Sequence, residues 1–197
     1  MLSPAYSHMQ GKKIVVLDRD GVINQKPGPR QYLRSPSEIR YLPGVRDSLA
    51  RLAERGYAFV VCTVQMGIGL SLVREEEVRS VNEAIEGDLR SRGITILGWY
   101  VCPHREEEGC VCRKPKPGLL LAAAREHDFD PAEAWNIGDS PRDILMGRNA
   151  GCTRNILLQN GYAARQEELA AVRPVPLVQT LGQAVDLLLQ NQGESIP

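Results

Sequence analysis

Asp18 and Asp20 lie one residue apart, directly after the apolar run Ile14-Val15-Val16-Leu17 and just before Gly21. A pair of carboxylates at a strand-to-turn junction can divide nucleophilic and proton-transfer work between them. The same spacing also fits an acidic turn with no chemistry. A second acidic segment, Gly138-Asp139-Ser140-Pro141-Arg142-Asp143, again follows an apolar run and opens a helical pattern. Open α/β sheets bind ligands outside the carboxyl ends of their strands, so both segments are expected on one rim. Converging carboxylates repel unless a cation sits among them, and oxygen ligands of this kind suit Mg2+. Thr63 ends another apolar run, and Arg113-Lys114 follow a group of cysteines. A hydroxyl and an ammonium are the donors that hold phosphate oxygens as charge builds in a transition state, so the set points to phosphoryl transfer. Taken singly, Thr63 reads equally as a strand-end cap, Lys114 as a solvated charge and Gly138-Asp139 as a turn with a helix N-cap.

Cys102-Pro103-His104 and Cys110-Val111-Cys112 place four metal-ligating side chains close together, enough for a closed tetrahedral zinc site. The spacings are tighter than those of common zinc fingers. On the alternative reading the thiols are small hydrophobes and His104 is a surface residue. The segment between them, Arg105-Glu106-Glu107-Glu108-Gly109, is too polar to bury three thiols by packing, which favours zinc. With Cys62 and Cys152 the chain has five cysteines, an odd number that argues against a disulfide framework.

The elements that must position these groups alternate between short apolar runs and helical patterns. Strands are predicted at 13–17, 58–62, 96–101, 134–137, 154–158 and 176–178, and helices over 44–55, 75–92, 117–127, 141–149 and 181–190. That alternation predicts an α/β fold, a doubly wound and mostly parallel sheet. A Pro- and Gly-rich loop over 25–41 is long enough to reach across the rim. At 197 residues the chain fits a single domain. Its 24 basic and 24 acidic residues leave no electrostatic footprint for nucleic acid or an anionic membrane. No apolar stretch approaches a membrane span, and residues 1–13 lack the apolar core of a secretory signal, so a cytoplasmic protein is expected.

In this order, each at a strand's carboxyl end, the four segments around Asp18, Thr63, Lys114 and Asp139 resemble the motifs of the haloacid dehalogenase superfamily of phosphatases. The likeness extends over nearly the whole chain and implies that family's Rossmann-type fold across 1–197, with no large cap domain. It implies that Asp18 is the nucleophile, forming an aspartyl-phosphate, and that Asp20 protonates the leaving oxygen and then activates water. Thr63 and Lys114 would hold phosphate. Mg2+ would be bound by Asp18, the Asp20 carbonyl and Asp139, with Asp143 orienting Lys114 or a metal-bound water.

The string C-P-H followed by C-x-C-R-K-P-x-P-G resembles one branch of the superfamily, the heptose bisphosphate and histidinol-phosphate phosphatases. Asp18 to Asn24 and Tyr32 to Pro36 agree with it. The branch implies a structural zinc ion in a small loop over 102–112, held by Cys102, His104, Cys110 and Cys112. Arg113 would then recognise the substrate's body or a second phosphate with its planar fork, and Asn24 would join the substrate-binding residues. The expected activity is removal of the C7 phosphate of a heptose bisphosphate by a monomeric enzyme. Histidinol phosphate or another small phosphomonoester is the alternative substrate, and a zinc-clipped binding module with weak turnover is the alternative class. Three departures bear on the substrate. The branch's Thr-Asn-Gln-Ser-Gly is here Thr63-Val64-Gln65-Met66-Gly67, which is expected to lose a substrate contact. The loop after Asn24 reads Lys26-Pro27-Gly28-Pro29 where an acid and a Gly-Tyr pair are usual, and the segment between His104 and Cys110 is short.

Overall fold

The computed structural model describes residues 13–28, 31–159 and 166–191. Of the stretch read as carrying no secretory signal only Lys13 is described, and Pro29 of the altered loop lies outside the described residues. Strands β1 (Lys13–Leu17), β2 (Tyr57–Val64), β3 (Ile96–Cys102), β4 (Trp135–Gly138), β5 (Arg154–Leu158) and β6 (Leu177–Val178) form one sheet in the order β3-β2-β1-β4-β5-β6. Every pairing is parallel. Such strands are covered on both faces, which is why they read as continuous apolar runs rather than alternating ones.

Alternate side chains of β1 serve the two sides. Val15 and Leu17 pack with α1 (Val45–Ala53), α2 (Glu75–Arg90) and α6 (Leu181–Gln190), through Leu49, Ile85 and Leu188 among others. Ile14 and Val16 pack with α3 (Gly118–His127) and α4 (Pro141–Asn149), through Leu120 and Met146. The chain order reverses between β1 and β4, so their carboxyl ends open a crevice at the switch point of the sheet. Asp18 follows β1 and Asp139 follows β4, and the Asp18 backbone N–H donates to the Ile137 carbonyl at 3.1 Å, carrying the pairing up to the crevice.

Strand β2 is longer than the apolar run suggests. Its pairing with β3 continues through Thr63↔Val101 and Val64↔Cys102, which places Thr63 at the same rim. Helix α2 has Glu75, Glu76 and Glu77 in its first turn and Arg90 in its last, charges that complement the helix dipole. It stops before Arg92. Helix α5 (Gln166–Ala171) was not expected from sequence, because it buries none of its residues and has no apolar stripe to show itself by. The loop over 25–41 holds only a 3-10 turn at Pro36–Glu38 among its described residues. No described helix is long and apolar enough to cross a membrane.

Candidate active site

Local sequence sets the acidic rim. Ser140 is the N-cap of α4 and Pro141 its first residue, and Asp143 sits at the third position. One oxygen of Asp143, Oδ2, accepts from the Ser140 N–H at 2.9 Å and from the Ser140 hydroxyl at 2.7 Å, a capping box that aims the other oxygen into the crevice. That oxygen, Oδ1, accepts from Lys114 Nζ at 2.5 Å, and the same ammonium donates to Asp18 Oδ1 at 2.8 Å. Two glycines make room. A Cβ on Gly138 would come within 2.1 Å of the Asp143 Cβ, and one on Gly21, whose φ is 95°, within 2.1 Å of Asp139 Oδ2.

Carboxylate oxygens of Asp18, Asp139 and Asp143 lie within 4.8 Å of one another. Burial, together with the charges of Asp143, Asp139 and Asp20 and against the pull of Lys114, pushes Asp18 up to about 7. Burial and Asp143 likewise push Asp139 up to about 6, against the opposing charges of Lys26 and Lys114. Asp143 is held below the usual range: Lys114 and Ser140 outweigh its burial. Lys114 is buried, which favours its neutral form, but Asp143 and Asp18 outweigh that and hold it charged. Two ammonium groups face the three acids, Lys114 on Asp18 and Asp143 and Lys26 on Asp139 Oδ2 at 2.8 Å, so full ionisation leaves an excess negative charge. The donor set therefore fits a hard divalent cation bound by oxygen.

The sequence places Asp20 in the acidic group, but its carboxylate turns elsewhere. Oδ1 accepts from Arg19 Nε at 3.1 Å and Asn24 Nδ2 at 2.8 Å, and Oδ2 from Arg19 Nη2 and Gln65 Nε2, both at 2.9 Å. Burial alone would raise its pKa, but these donors outweigh burial and hold it low. The third carboxylate of the cluster is Asp143 instead. Asn24, expected among the substrate-binding residues, is fully buried behind Asp20 and does not line the cavity. Its Nδ2 donates to Asp20 Oδ1 and to the Gln25 carbonyl, both at 2.8 Å, while its Oδ1 is buried without a hydrogen-bond partner among the described residues.

A cavity of about 310 Å³ opens above the acids and is lined by Asp18, Asp20, Thr63, Arg113, Lys114 and Asp139, among others. Val64 forms part of its wall, whereas Met66 does not, so of the two altered positions only Val64 faces the cavity. Gln65 Nε2 also donates to Thr63 Oγ1 at 2.9 Å, tying Thr63 to Asp20. Sequence reasoning assigned no role to Arg19, Gln65, Asn82 or Lys26. Arg19 and Asn82 did leave a signal: a charge enclosed between two rim acids, and an amide at position i+4 of the apolar stripe Val78, Ile85, Leu89.

Cys102, His104, Cys110 and Cys112 come together beside the cavity. The sulfurs are 3.7, 3.2 and 3.5 Å apart, and His104 Nδ1 is 3.2 Å from the Cys112 sulfur and 3.7 Å from that of Cys102. A tetrahedron with Zn–S bonds of about 2.3 Å has edges of about 3.7 Å, so the spacing suits one metal ion and is too long for a disulfide. The loop holds Arg113, whose Nη1 donates to the His104 carbonyl at 3.2 Å. Lys116 Nζ staples the same loop through the carbonyls of Gly109 at 2.6 Å and Cys110 at 2.8 Å.

The raised acids predict how a cation affects stability. A carboxyl shifted upward by folding contributes stability that is full below its ordinary value of 3.8 and lost as pH rises through the folded value, here about 7 for Asp18 and about 6 for Asp139. A cation among the acids reverses that loss. The Tm gain from saturating Mg2+ is therefore expected to be larger at pH 8 than at pH 5, by about 3 °C or more, in thermal melts against a chelated control. Equal gains at both pH values would refute a cation site at Asp18 and Asp139.

A doubly wound parallel sheet with three carboxylates and a buried lysine at its switch point defines the class, an α/β protein whose rim suits metal-assisted phosphoryl chemistry. A family model described as HAD-hydrolase-like matches residues 111–184. The chain is 34% identical to a D-glycero-β-D-manno-heptose-1,7-bisphosphate 7-phosphatase from Pasteurella multocida over 156 residues, 76% of this chain and 83% of that one. It is 34% identical to the corresponding 7-phosphatase of Bordetella bronchiseptica, over 81% of this chain and 95% of that one. Among solved structures, the D,D-heptose 1,7-bisphosphate phosphatase of B. bronchiseptica, complexed with magnesium and phosphate, aligns with a TM-score of 0.80 at 32% identity, over 90% of this chain and 98% of that one. The chain belongs to the haloacid dehalogenase-like family of phosphatases, in the branch of these 7-phosphatases. Among the described residues no inserted cap domain covers the cavity, whose walls include Lys26, Pro27, Gln31 and Tyr32 from the 25–41 loop and Arg113, next after the cysteine loop.

Proposed function

We propose that the chain, residues 1–197 as one phosphatase domain, removes the C7 phosphate of D-glycero-D-manno-heptose 1,7-bisphosphate. The observation that carries the reading is the buried Lys114 ammonium bridging Asp18 and Asp143 beside Asp139, under a cavity flanked by Arg113. The likeness to enzymes named for that substrate, over 76% of this chain for the Pasteurella relative and 90% for the B. bronchiseptica structure, supports the substrate.

Asp18 attacks phosphorus: one of its oxygens forms the new P–O bond, the bridging bond breaks with its electron pair, and Asp20, whose carboxyl is held low in the free protein and so takes up a proton from solvent before this step, gives that proton to the leaving oxygen. In the second half Asp20, now a carboxylate, takes a proton from water as water attacks phosphorus and the bond to Asp18 breaks, releasing phosphate. A carboxylate nucleophile splits one difficult displacement into two easier ones. Lys114 and Thr63 hold the phosphoryl oxygens as charge spreads over them. Asp143 keeps Lys114 charged and in place. Asp18, the Asp20 carbonyl and Asp139 would hold Mg2+, which would supply further charge neutralisation. Arg113 grips the substrate away from the scissile bond, and Cys102, His104, Cys110 and Cys112 would hold a zinc ion that would keep Arg113 at a fixed reach.

Phosphate release tests the substrate directly. The heptose bisphosphate is expected to give a kcat/KM about tenfold or more above that of histidinol phosphate, since a pocket with a planar cationic fork discriminates by the second anion it pairs. Higher turnover of histidinol phosphate would move the substrate assignment. Negligible rates for both would favour a binding module that kept the fold.

A further inference from the structure

Arg19 is fully buried, which is a costly place for a guanidinium unless every part of it is paired. Its Nε and Nη2 form a fork on the two oxygens of Asp20, at 3.1 and 2.9 Å. Its remaining nitrogen, Nη1, donates to Asn82 Oδ1 at 2.9 Å, and Asn82 is a buried residue of α2. The backbone around Arg19 is just as constrained: its carbonyl accepts from the N–H groups of Ile23 at 2.9 Å and Asn24 at 3.2 Å. Neither Arg19 nor Asn82 lines the cavity, so neither can touch substrate there.

The geometry has a mechanical consequence. A planar fork fixes the plane of the carboxylate it grips. A fork alone leaves Arg19 and Asp20 free to shift as a pair, and the third contact ties that pair to a sixteen-residue helix packed in the core. We infer that Asn82 and Arg19 are positioning residues that set the Asp20 carboxyl for proton transfer to the leaving oxygen, with α2 as the fixed reference. Gln65 and Asn24 flank the same carboxyl from the other side and complete its frame. The inference rests on the reading of Asp20 as proton donor.

Dependence on the leaving group separates positioning from mere support of the fold. A sugar or other alkyl leaving oxygen needs the Asp20 proton, whereas p-nitrophenolate leaves without one. Single-turnover release of the leaving group is measured for both substrates in Asn82→Leu, Arg19→Lys, Asn82→Asp and Asp20→Asn. Asn82→Leu and Arg19→Lys are each expected to slow the alkyl phosphate by about tenfold or more and the nitrophenyl phosphate by less than about threefold. Asn82→Asp keeps an acceptor for Nη1 and is expected to restore the alkyl rate to within about threefold of wild type. Arg19→Lys keeps the charge while losing the fork, so the test stands even where Asn82→Leu does not fold. Equal slowing of both substrates, or no slowing of either, overturns the inference. If Asp20→Asn itself lacks the leaving-group signature, the reading of Asp20 as proton donor fails. If Asp20→Asn shows the signature and the other variants do not, only the positioning role fails.

Discussion

Asp18→Asn is expected to lower phosphate release by about 10⁴-fold or more, because an amide cannot form the acyl-phosphate and no neighbouring carboxylate is free to replace it. Asp143 is occupied by Ser140 and Lys114, Asp139 by Lys26, and Asp20 by Arg19, Asn24 and Gln65. The substitution should spare the fold. Its Oδ1 can still accept from Lys114, which reaches Asp18 at 2.8 Å in the native protein. It also removes a carboxylate that burial and its acidic neighbours push up to about 7. Without Mg2+ at pH 8, where that carboxylate is ionised at a cost, the variant's Tm is expected to equal or exceed that of wild type. Steady-state phosphate release and thermal melts check the two halves together. Residual turnover above about 1% would remove the covalent route through Asp18.

Cys112→Ser has the largest expected effect on stability. A metal ion on Cys102, His104, Cys110 and Cys112 would close a polar loop that contributes little apolar packing of its own: its Glu106–Glu108 turn buries no residue. Metal binding is then folding free energy for that loop. Losing it is expected to cost about 3–4 kcal/mol, which for a domain of this length lowers Tm by about 10 °C. The effect on substrate should be uneven. Lys114 keeps its own anchors on Asp18 and Asp143, whereas Arg113 is anchored on the loop through the His104 carbonyl at 3.2 Å. KM for the bisphosphate should therefore rise more than kcat falls. Elemental analysis of the native protein should give about one zinc per chain, as expected for a closed four-ligand site. A value near zero, with an unchanged Tm in Cys112→Ser, would refute a structural metal.

Much of the rim was legible because it is written in short-range chemistry. Asp18 and Asp139 follow apolar strands, Ser140-Pro141 and Asp143 spell a helix start, and the Cys-x-His and Cys-x-Cys pairs already lie close along the chain. What stayed hidden was which donors hold each carboxylate. Asp20 reads as a member of the acidic group, and Asn24 as a substrate ligand, until Arg19 and Gln65 are seen to claim the Asp20 oxygens and Asn24 is seen beneath them. Helix α5 escaped because it buries no stripe, and the end of β2 because Thr63 and Val64 are drawn into the sheet by pairing with β3.

The sequence by itself determined the strand–helix alternation, the acids at two strand ends and the grouping of cysteines and histidine over 102–112, since each depends on residues within about a dozen positions of one another. Only the tertiary structure decided which acids share a charge and which are clamped away from it. Lys114 meets Asp18 across 96 positions and Asn82 meets Arg19 across 63, separations at which neither periodicity nor spacing carries information. Those contacts exist because the parallel sheet brings β1, β2 and β4 side by side and so gathers their carboxyl ends at one crevice.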